Sequence, residues 1–297
     1  MKLIIDTDCG VDDAFALIAA LKLYNVIAIT CVSGNVYIDN VVNNVGVLLE
    51  LCDKPHIPFF KGSSDFILNN WQESKYLGHG SDGLGDINMK TNLKIQDESA
   101  INALIRLTQE YDDVHIIAIG PLTNIALASL VDNDFPNRVR SFTIMGGAEE
   151  CKGNVSFTSE FNIDCDPEAA KICLNKFSNV KTRMITLESS HECELPWDLW
   201  DKITKSDNKY AQFLTKISNK MLPYCKTGYM PYDLIAMLSY LAEDKERTKL
   251  LYCDIELSGN LTRGATIFDW RHIREPNILL LKMNKLEIFK LIEQIAL

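Results

Sequence analysis

Several things are missing from this 297-residue chain, and each absence removes a class of function. No apolar run approaches the roughly 20 residues that span a bilayer. The longest runs, such as Ile116-Ile117-Ala118-Ile119, are strand-sized. The N-terminus lacks a basic segment followed by an apolar signal core, so a cytoplasmic protein with no membrane partner is expected. Basic residues are in deficit, with 30 Lys and Arg against 40 Asp and Glu and a formal net charge of -10. That balance disfavours a phosphate backbone, so no nucleic-acid partner is expected. The nine cysteines, at 9, 31, 52, 151, 165, 173, 193, 225 and 253, contain no Cys-x-x-Cys pair. An odd, scattered set reads as reduced, mostly buried thiols and not as a disulfide framework or a zinc site. No Pro/Gly/Ser-rich linker, low-complexity tract or internal repeat divides the chain, so residues 1–297 read as one domain. A P-loop and an arginine cluster are also missing, which makes phosphate a poor ligand.

Acid is what the chain has, and it has it early. Asp6-Thr7-Asp8-Cys9-Gly10-Val11-Asp12-Asp13 places four aspartates within the first thirteen residues, directly after Leu3-Ile4-Ile5. The order reads as a buried strand that ends, turns at Gly10 and enters a helix at Ala14-Phe15-Ala16-Leu17-Ile18. Carboxylates this close repel one another, and a hard divalent cation with a preference for oxygen ligands compensates them economically. Cys9 sits inside this turn. Surrounding carboxylates suppress a thiolate, so it reads as a small residue in a tight bend.

The rest of the chain alternates. Strands are predicted over 26–32, 57–60, 114–119, 139–145 and 180–187, with helices over 38–51 and 97–110, after Asn124 and after Asp166-Pro167-Glu168. Helical segments run to about 243, and strands mix with a terminal helix from Leu250 on. Residues 62–95 are polar and turn-rich, and a loop that long is usually functional. The pattern predicts an α/β fold, a largely parallel open sheet with helices on both faces, Rossmann-like in architecture. Strand ends then gather Asp8, Asp12, Asp13, Asn35, His79, Asn154, Glu160, Asn162 and Asp233 at one edge. Carboxylates and amides suit a ligand rich in hydroxyls, together with a metal.

These residues carry a resemblance. Asp6-Thr7-Asp8-x-Gly10-x-Asp12-Asp13-Ala14 resembles the opening signature of the inosine-uridine preferring nucleoside hydrolases. The likeness continues in order through Gly34-Asn35, His79-Gly80-x-Asp82-Gly83-Leu84-Gly85, Gly120-Pro121-Leu122-Thr123-Asn124, Met145-Gly146-Gly147, Asn154, Glu160-Phe161-Asn162, Asp166-Pro167-Glu168-Ala169-Ala170 and Gly264-Ala265-Thr266. It implies cleavage of the N-glycosidic bond of a ribonucleoside to free base and ribose, a bound Ca²⁺, a role in purine or pyrimidine salvage, and a homodimer or homotetramer. By the same resemblance Asp8, Asp13, Asp233 and the main-chain carbonyl of Ile119 would hold the metal, with Asp8 also the general base. Asp12, Asn154, Glu160 and Asn162 would hold the ribose, with Asn35, Met145 and Phe161 at the substrate and His79 on the base side.

Three positions depart from the family pattern. Cys9 stands where proline is usual, and Glu188-Ser189-Ser190-His191 stands where an aspartate and a threonine are commoner. Tyr232 stands where many members carry the histidine that protonates the leaving base. A tyrosine is a weaker acid, so His79, Tyr229 or Trp270 could share that task. Simpler readings accompany several residues: Asp12 and Asp233 suit helix N-caps, Asn154 and Asn162 suit turns, and His191 suits a satisfied strand end outside the site. Trp71, Trp197 and Trp200 read as packing residues. Two other functions fit parts of the pattern. Asp6-x-Asp8 also resembles haloacid-dehalogenase phosphohydrolases, although the later strand edges offer amides and glycines where that chemistry needs lysine. A non-catalytic nucleoside-binding protein on the same fold is the second.

Overall fold

The computed structural model describes residues 1–72 and 76–296. Glu73-Ser74-Lys75, inside the long polar loop, and Leu297 lie outside the described residues. The strands are β1 (Lys2–Thr7), β2 (Val26–Cys31), β3 (Phe59–Lys61), β4 (Val114–Ala118), β5 (Val139–Met145), β6 (Lys181–Ile185), β7 (Leu195–Pro196), β8 (Gly228–Tyr229), β9 (Lys249–Leu251), β10 (Cys253–Ile255), β11 (Thr266–Phe268) and β12 (Ile278–Leu280). The helices are α1 (Val11–Leu23), α2 (Ile38–Leu51), α3 (Ala100–Glu110), α4 (Thr123–Val131), α5 (Phe135–Arg138), α6 (Phe161–Cys165), α7 (Pro167–Lys176), α8 (Leu187–His191), α9 (Trp197–Thr204), α10 (Lys209–Ser218), α11 (Tyr232–Ala242) and α12 (Lys285–Ala296).

Eight strands form one sheet in the order β3-β2-β1-β4-β5-β6-β12-β9. All neighbours pair in parallel except β9, which runs antiparallel to β12. The chain winds outward from β1 through β2 to β3, then returns to β4 and winds the other way. That reversal puts a topological switch point between β1 and β4, where open α/β sheets bind ligands beyond the carboxyl ends of their strands. Both faces of the sheet are covered. Leu3 and Ile5 join one core with α1, α2, α11 and α12, while Ile4 points into a second core with α3, α4 and α7. The period of two along β1 decides which face each side chain serves.

Element by element, the α/β architecture is as the sequence predicts, and most boundaries move by a residue or two. The 180–187 strand stops at Ile185, because the Thr186 hydroxyl accepts the Ser189 N–H at 3.3 Å and caps α8. The N-cap reading of Asp166 holds, since its carboxylate accepts the Ala169 N–H at 3.0 Å. The capping reading of Asp12 does not hold. Gly10 is the N-cap of α1, and Asp13 reaches back to accept its N–H at 2.9 Å. Glycine is needed there because a Cβ would come within 2.6 Å of the His79 ring and 2.7 Å of the Asn35 amide. Asp233 likewise follows its cap, Pro231. The nine cysteines are unpaired. Cys9 adopts a left-handed φ of 33°, a conformation that is strained for a residue with a Cβ. Among the described residues no helix is long and apolar enough to cross a membrane.

Candidate active site

Asp8 follows β1 directly and lies between the ends of β2 and β4. Its Oδ2 accepts the Asn35 N–H at 2.7 Å. A Cβ at Gly34 would overlap that oxygen, and one at Gly120 would meet Oδ1 at 3.0 Å. The two glycines after the flanking strands therefore clear the space in which this carboxylate sits. Asp13 is held from three sides: by the Thr7 hydroxyl at 2.5 Å, the Gly10 N–H at 2.9 Å and the Asn35 amide at 3.2 Å. Helices α1 and α11 pack together, which brings Asp12 and Asp13 in the first turn of one against Asp233 in the first turn of the other. One carboxylate oxygen from each lies within 4.8 Å of the others. Two helix N-termini thus direct their positive ends at the cluster.

All four aspartates are buried. Burial, followed by the charge of Asp13, holds Asp8 well above the ordinary carboxylate range. Burial does the same for Asp233, with Asp12, Asp13 and Asp8 adding repulsion. Burial raises Asp12 and Asp13 to about 6. Among the described residues no lysine or arginine forms an ion pair with any of the four. The nearest basic group is His79, whose Nδ1 lies 3.8 Å from Asp12 Oδ1. That ring is neutral: burial lowers it to about 4, and its Nδ1 accepts the Val11 N–H at 3.1 Å. Among the described residues Asp8 Oδ1 and Asp12 Oδ1 are buried without a hydrogen-bond partner, a costly state for a carboxylate oxygen. The donor set is made of hard oxygens with no internal counter-charge, and it fits a hard divalent cation. The Ile119 carbonyl adds a further oxygen. It accepts the Asn162 amide at 3.1 Å and has a second lone pair left.

Above the cluster opens a cavity of about 540 Å³, which is of nucleoside size. Asp12, Asn35, His79, Ile119, Met145, Asn154, Glu160, Phe161, Asn162, Tyr232 and Asp233 all line it. Asp8 and Asp13 lie beneath its floor. Glu160 caps α6 and accepts the N–H groups of Asn162 at 2.9 Å, Gly147 at 3.0 Å and Ile163 at 3.2 Å. Burial nevertheless raises it to about 7. The Asn162 amide nitrogen bonds the carbonyls of Ile119 and Met145, so its remaining oxygen is the group available to a ligand. Asn154 sits in an exposed loop at the rim and Met145, at the end of β5, is buried.

The opposite end of the cavity is aromatic. Tyr76 meets His79 edge-on at 5.2 Å and Tyr224 at 4.9 Å. Tyr232 contacts His191 through a 3.1 Å hydrogen bond. Burial raises the Tyr232 hydroxyl above its ordinary value. Tyr229 and Trp270 do not reach this space. Tyr229 is fully buried and stacks on Trp200 at 3.9 Å, and Trp270 lines a separate depression with Lys171 and Tyr252. Gly78-His79-Gly80-Ser81-Asp82-Gly83 has the spacing of a dinucleotide fingerprint, but among the described residues no strand leads directly into it and no helix starts directly from it. It is a loop that delivers His79.

The model of the inosine-uridine preferring nucleoside hydrolases matches residues 3–290. The chain belongs to that family. A probable uridine nucleosidase of Oryza sativa subsp. japonica is 35% identical over 217 residues, 72% of this chain and 66% of that protein. The inosine-uridine preferring nucleoside hydrolase of Crithidia fasciculata is 28% identical over 284 residues, 92% of this chain and 89% of that protein. Among solved structures, an inosine-guanosine nucleoside hydrolase superposes with a TM-score of 0.93 at 30% identity, covering 99% of this chain and 98% of that one. As a nucleoside hydrolase, the chain is an enzyme of N-glycosidic bond cleavage. The phosphohydrolase reading and the purely binding reading both give way to this membership.

Sequence reasoning set His191 aside, and it missed Tyr76, Tyr224 and Lys226, all of which line the nucleoside hydrolase cavity. They come from loops and short helices with no periodic pattern.

Proposed function

We propose that this nucleoside hydrolase cleaves ribonucleosides to free base and ribose with Ca²⁺ bound at the acidic cluster, as a single catalytic domain. The observation that carries the reading is the convergence of Asp12 and Asp233, which line a nucleoside-sized cavity, with Asp13 and Asp8 below them, none of the four paired to a lysine or arginine among the described residues. Asp8, Asp13, Asp233 and the Ile119 carbonyl would hold the ion. When bound, the ion supplies a fixed positive charge that orients a water molecule and the ribose hydroxyls.

The remaining steps belong to the chain. Asp12 lines the cavity, and its carboxylate accepts a ribose hydroxyl. The Asn162 side-chain oxygen and Glu160 accept others, with Asn154 closing from the rim. Asn35 fixes Asp8 and Asp13 relative to each other. Asp8 Oδ1 takes the proton of the attacking water, which adds to the anomeric carbon opposite the base and inverts it. Positive charge builds on the sugar as the bond to the base breaks. The surrounding carboxylate and amide oxygens stabilise that charge. Met145 and Phe161 supply apolar walls, and His79 presents Nε2–H toward the base side. Cytoplasmic salvage of purine or pyrimidine and assembly as a homodimer or homotetramer go with this reading.

The test is ribose release from inosine and uridine by the purified chain with Ca²⁺ supplied. Turnover that EDTA abolishes and Ca²⁺ restores supports the reading. Tight nucleoside binding without ribose release rejects it.

A further inference from the structure

Tyr232 and His191 form a pair that neither strand ends nor helix periodicity explains. Tyr232 opens α11 one residue before Asp233, and His191 closes α8. The tyrosine hydroxyl and His191 Nε2 are 3.1 Å apart, their rings meet edge-on at 5.7 Å, and both residues line the cavity. Tyr232 is half-buried, whereas His191 is exposed. The contact therefore runs from the cavity interior to solvent, which is the course a proton delivered to a departing base would take.

Two of the other candidates for that task are removed by geometry, and the third lacks a relay to solvent. Tyr229 is buried under Trp200 and Trp270 lies elsewhere, while His79, whose Nδ1 accepts the Val11 N–H, keeps only Nε2–H to offer and among the described residues has no second donor behind it as Tyr232 has in His191. Resting on the hydrolase reading above, we infer that His191 is a positioning residue for leaving-group departure: its ring nitrogen holds the Tyr232 hydroxyl so that the hydroxyl proton is presented to the base. In the step, the bond between the anomeric carbon and the base nitrogen breaks and its electron pair stays on the base. The base takes the proton of Tyr232 Oη, and Oη takes one from His191 Nε2. The exposed imidazole regains its proton from solvent, while water adds to the sugar and gives its proton to Asp8, which returns it to solvent as the products leave. The net reaction consumes one water per nucleoside.

The experiment compares uridine or inosine with p-nitrophenyl β-ribofuranoside, whose leaving group departs as a stable phenolate and needs little protonation. The purified chain with Ca²⁺ is assayed as wild type, Tyr232→Phe, His191→Ala and the double variant. General-acid assistance contributes typically 10²–10⁴-fold. Tyr232→Phe is expected to lower kcat on the nucleoside about a hundredfold, and the loss on the aryl riboside is expected to be at least about tenfold smaller. His191→Ala is expected to lower nucleoside turnover about tenfold or more. It is also expected to have no further effect once Tyr232 is phenylalanine, because the two act as a unit. His191→Gln, which keeps a donor, recovers part of the loss.

Equal losses on both substrates, no loss at His191, or additive losses in the double variant overturn the role of His191. These outcomes leave the hydrolase reading intact as long as the wild type releases ribose. A wild type that cleaves neither compound overturns that reading and this inference together. His191 is exposed, so its substitution is not expected to unfold the chain, and unchanged melting temperatures check this.

Discussion

The two ends of the cavity are built by different rules. At the sugar end, apart from Asn154 in its rim loop, the functional groups sit at strand ends or at the start of helices that the parallel sheet fixes. Asp8 follows β1, the Ile119 carbonyl follows β4, Met145 ends β5, and Asp13 and Asp233 begin packed helices. At the base end, Tyr76 sits in a long loop, and Tyr224 and Lys226 lie between α10 and β8. His191 closes a five-residue helix. Rigid elements give positional precision and loops give variability. On the proposed function, the difference teaches that bond cleavage is set by the sheet and base preference by what hangs over it.

The comparison breaks most sharply at Asp8. Asp8→Asn keeps the shape but removes the base, and kcat for ribose release is expected to fall by at least about 10³-fold, within the range of acid-base catalysis. A loss under tenfold would move the chemistry away from the sheet edge. Next comes the sugar itself. A 2′-deoxyribonucleoside leaves the buried acceptors around Asp12 unpaired, so kcat/KM is expected to drop at least about a hundredfold against the ribonucleoside. Comparable rates on both would show that these groups do not read hydroxyls.

Stability sharpens the same contrast. Burial raises Glu160 to about 7 and Asp12 and Asp13 to about 6. A carboxyl whose folded value is raised adds stability that is complete below its unfolded value, near 4, and lost as pH climbs through the folded value. The Ca²⁺-free protein is therefore expected to melt at lower temperature at pH 8 than at pH 5. Calcium at 100 times its Kd is expected to restore about 2.7 kcal/mol. Scanning calorimetry at both pH values with and without Ca²⁺ checks the sign. A Ca²⁺-free melting temperature that rises over this interval contradicts it. The smallest effect belongs to the base end. Tyr224→Ala is expected to shift the inosine-to-uridine ratio of kcat/KM by about tenfold or less while ribose release persists, the low end of the discrimination that one apolar contact supplies.

Legibility in the sequence follows the same division. The acidic turn, Gly34-Asn35 and Gly120 were readable because sheet-edge residues are tied to apolar runs of fixed length. Their physical reason emerges only in three dimensions: both glycines are the walls of the space that Asp8 occupies. Asp12 read equally as an N-cap. Gly10 takes that place because His79 and Asn35 crowd it from 69 and 25 residues further along the chain, and no local pattern carries that distance. His191 read as a bystander for a related reason. It meets Tyr232 across 41 residues, through a packing of α8 on α11 that neither segment announces. Tyr229 and Trp270 failed in the opposite sense, since aromatic residues near a motif need not face the same space.

The most direct test is a structure of the chain grown with Ca²⁺ and ribose. The account predicts one ion bound by Asp8, Asp13, Asp233 and the Ile119 carbonyl, with ribose hydroxyls on the ion and on Asp12. An ion lodged elsewhere, or ribose seated away from these aspartates, would contradict it.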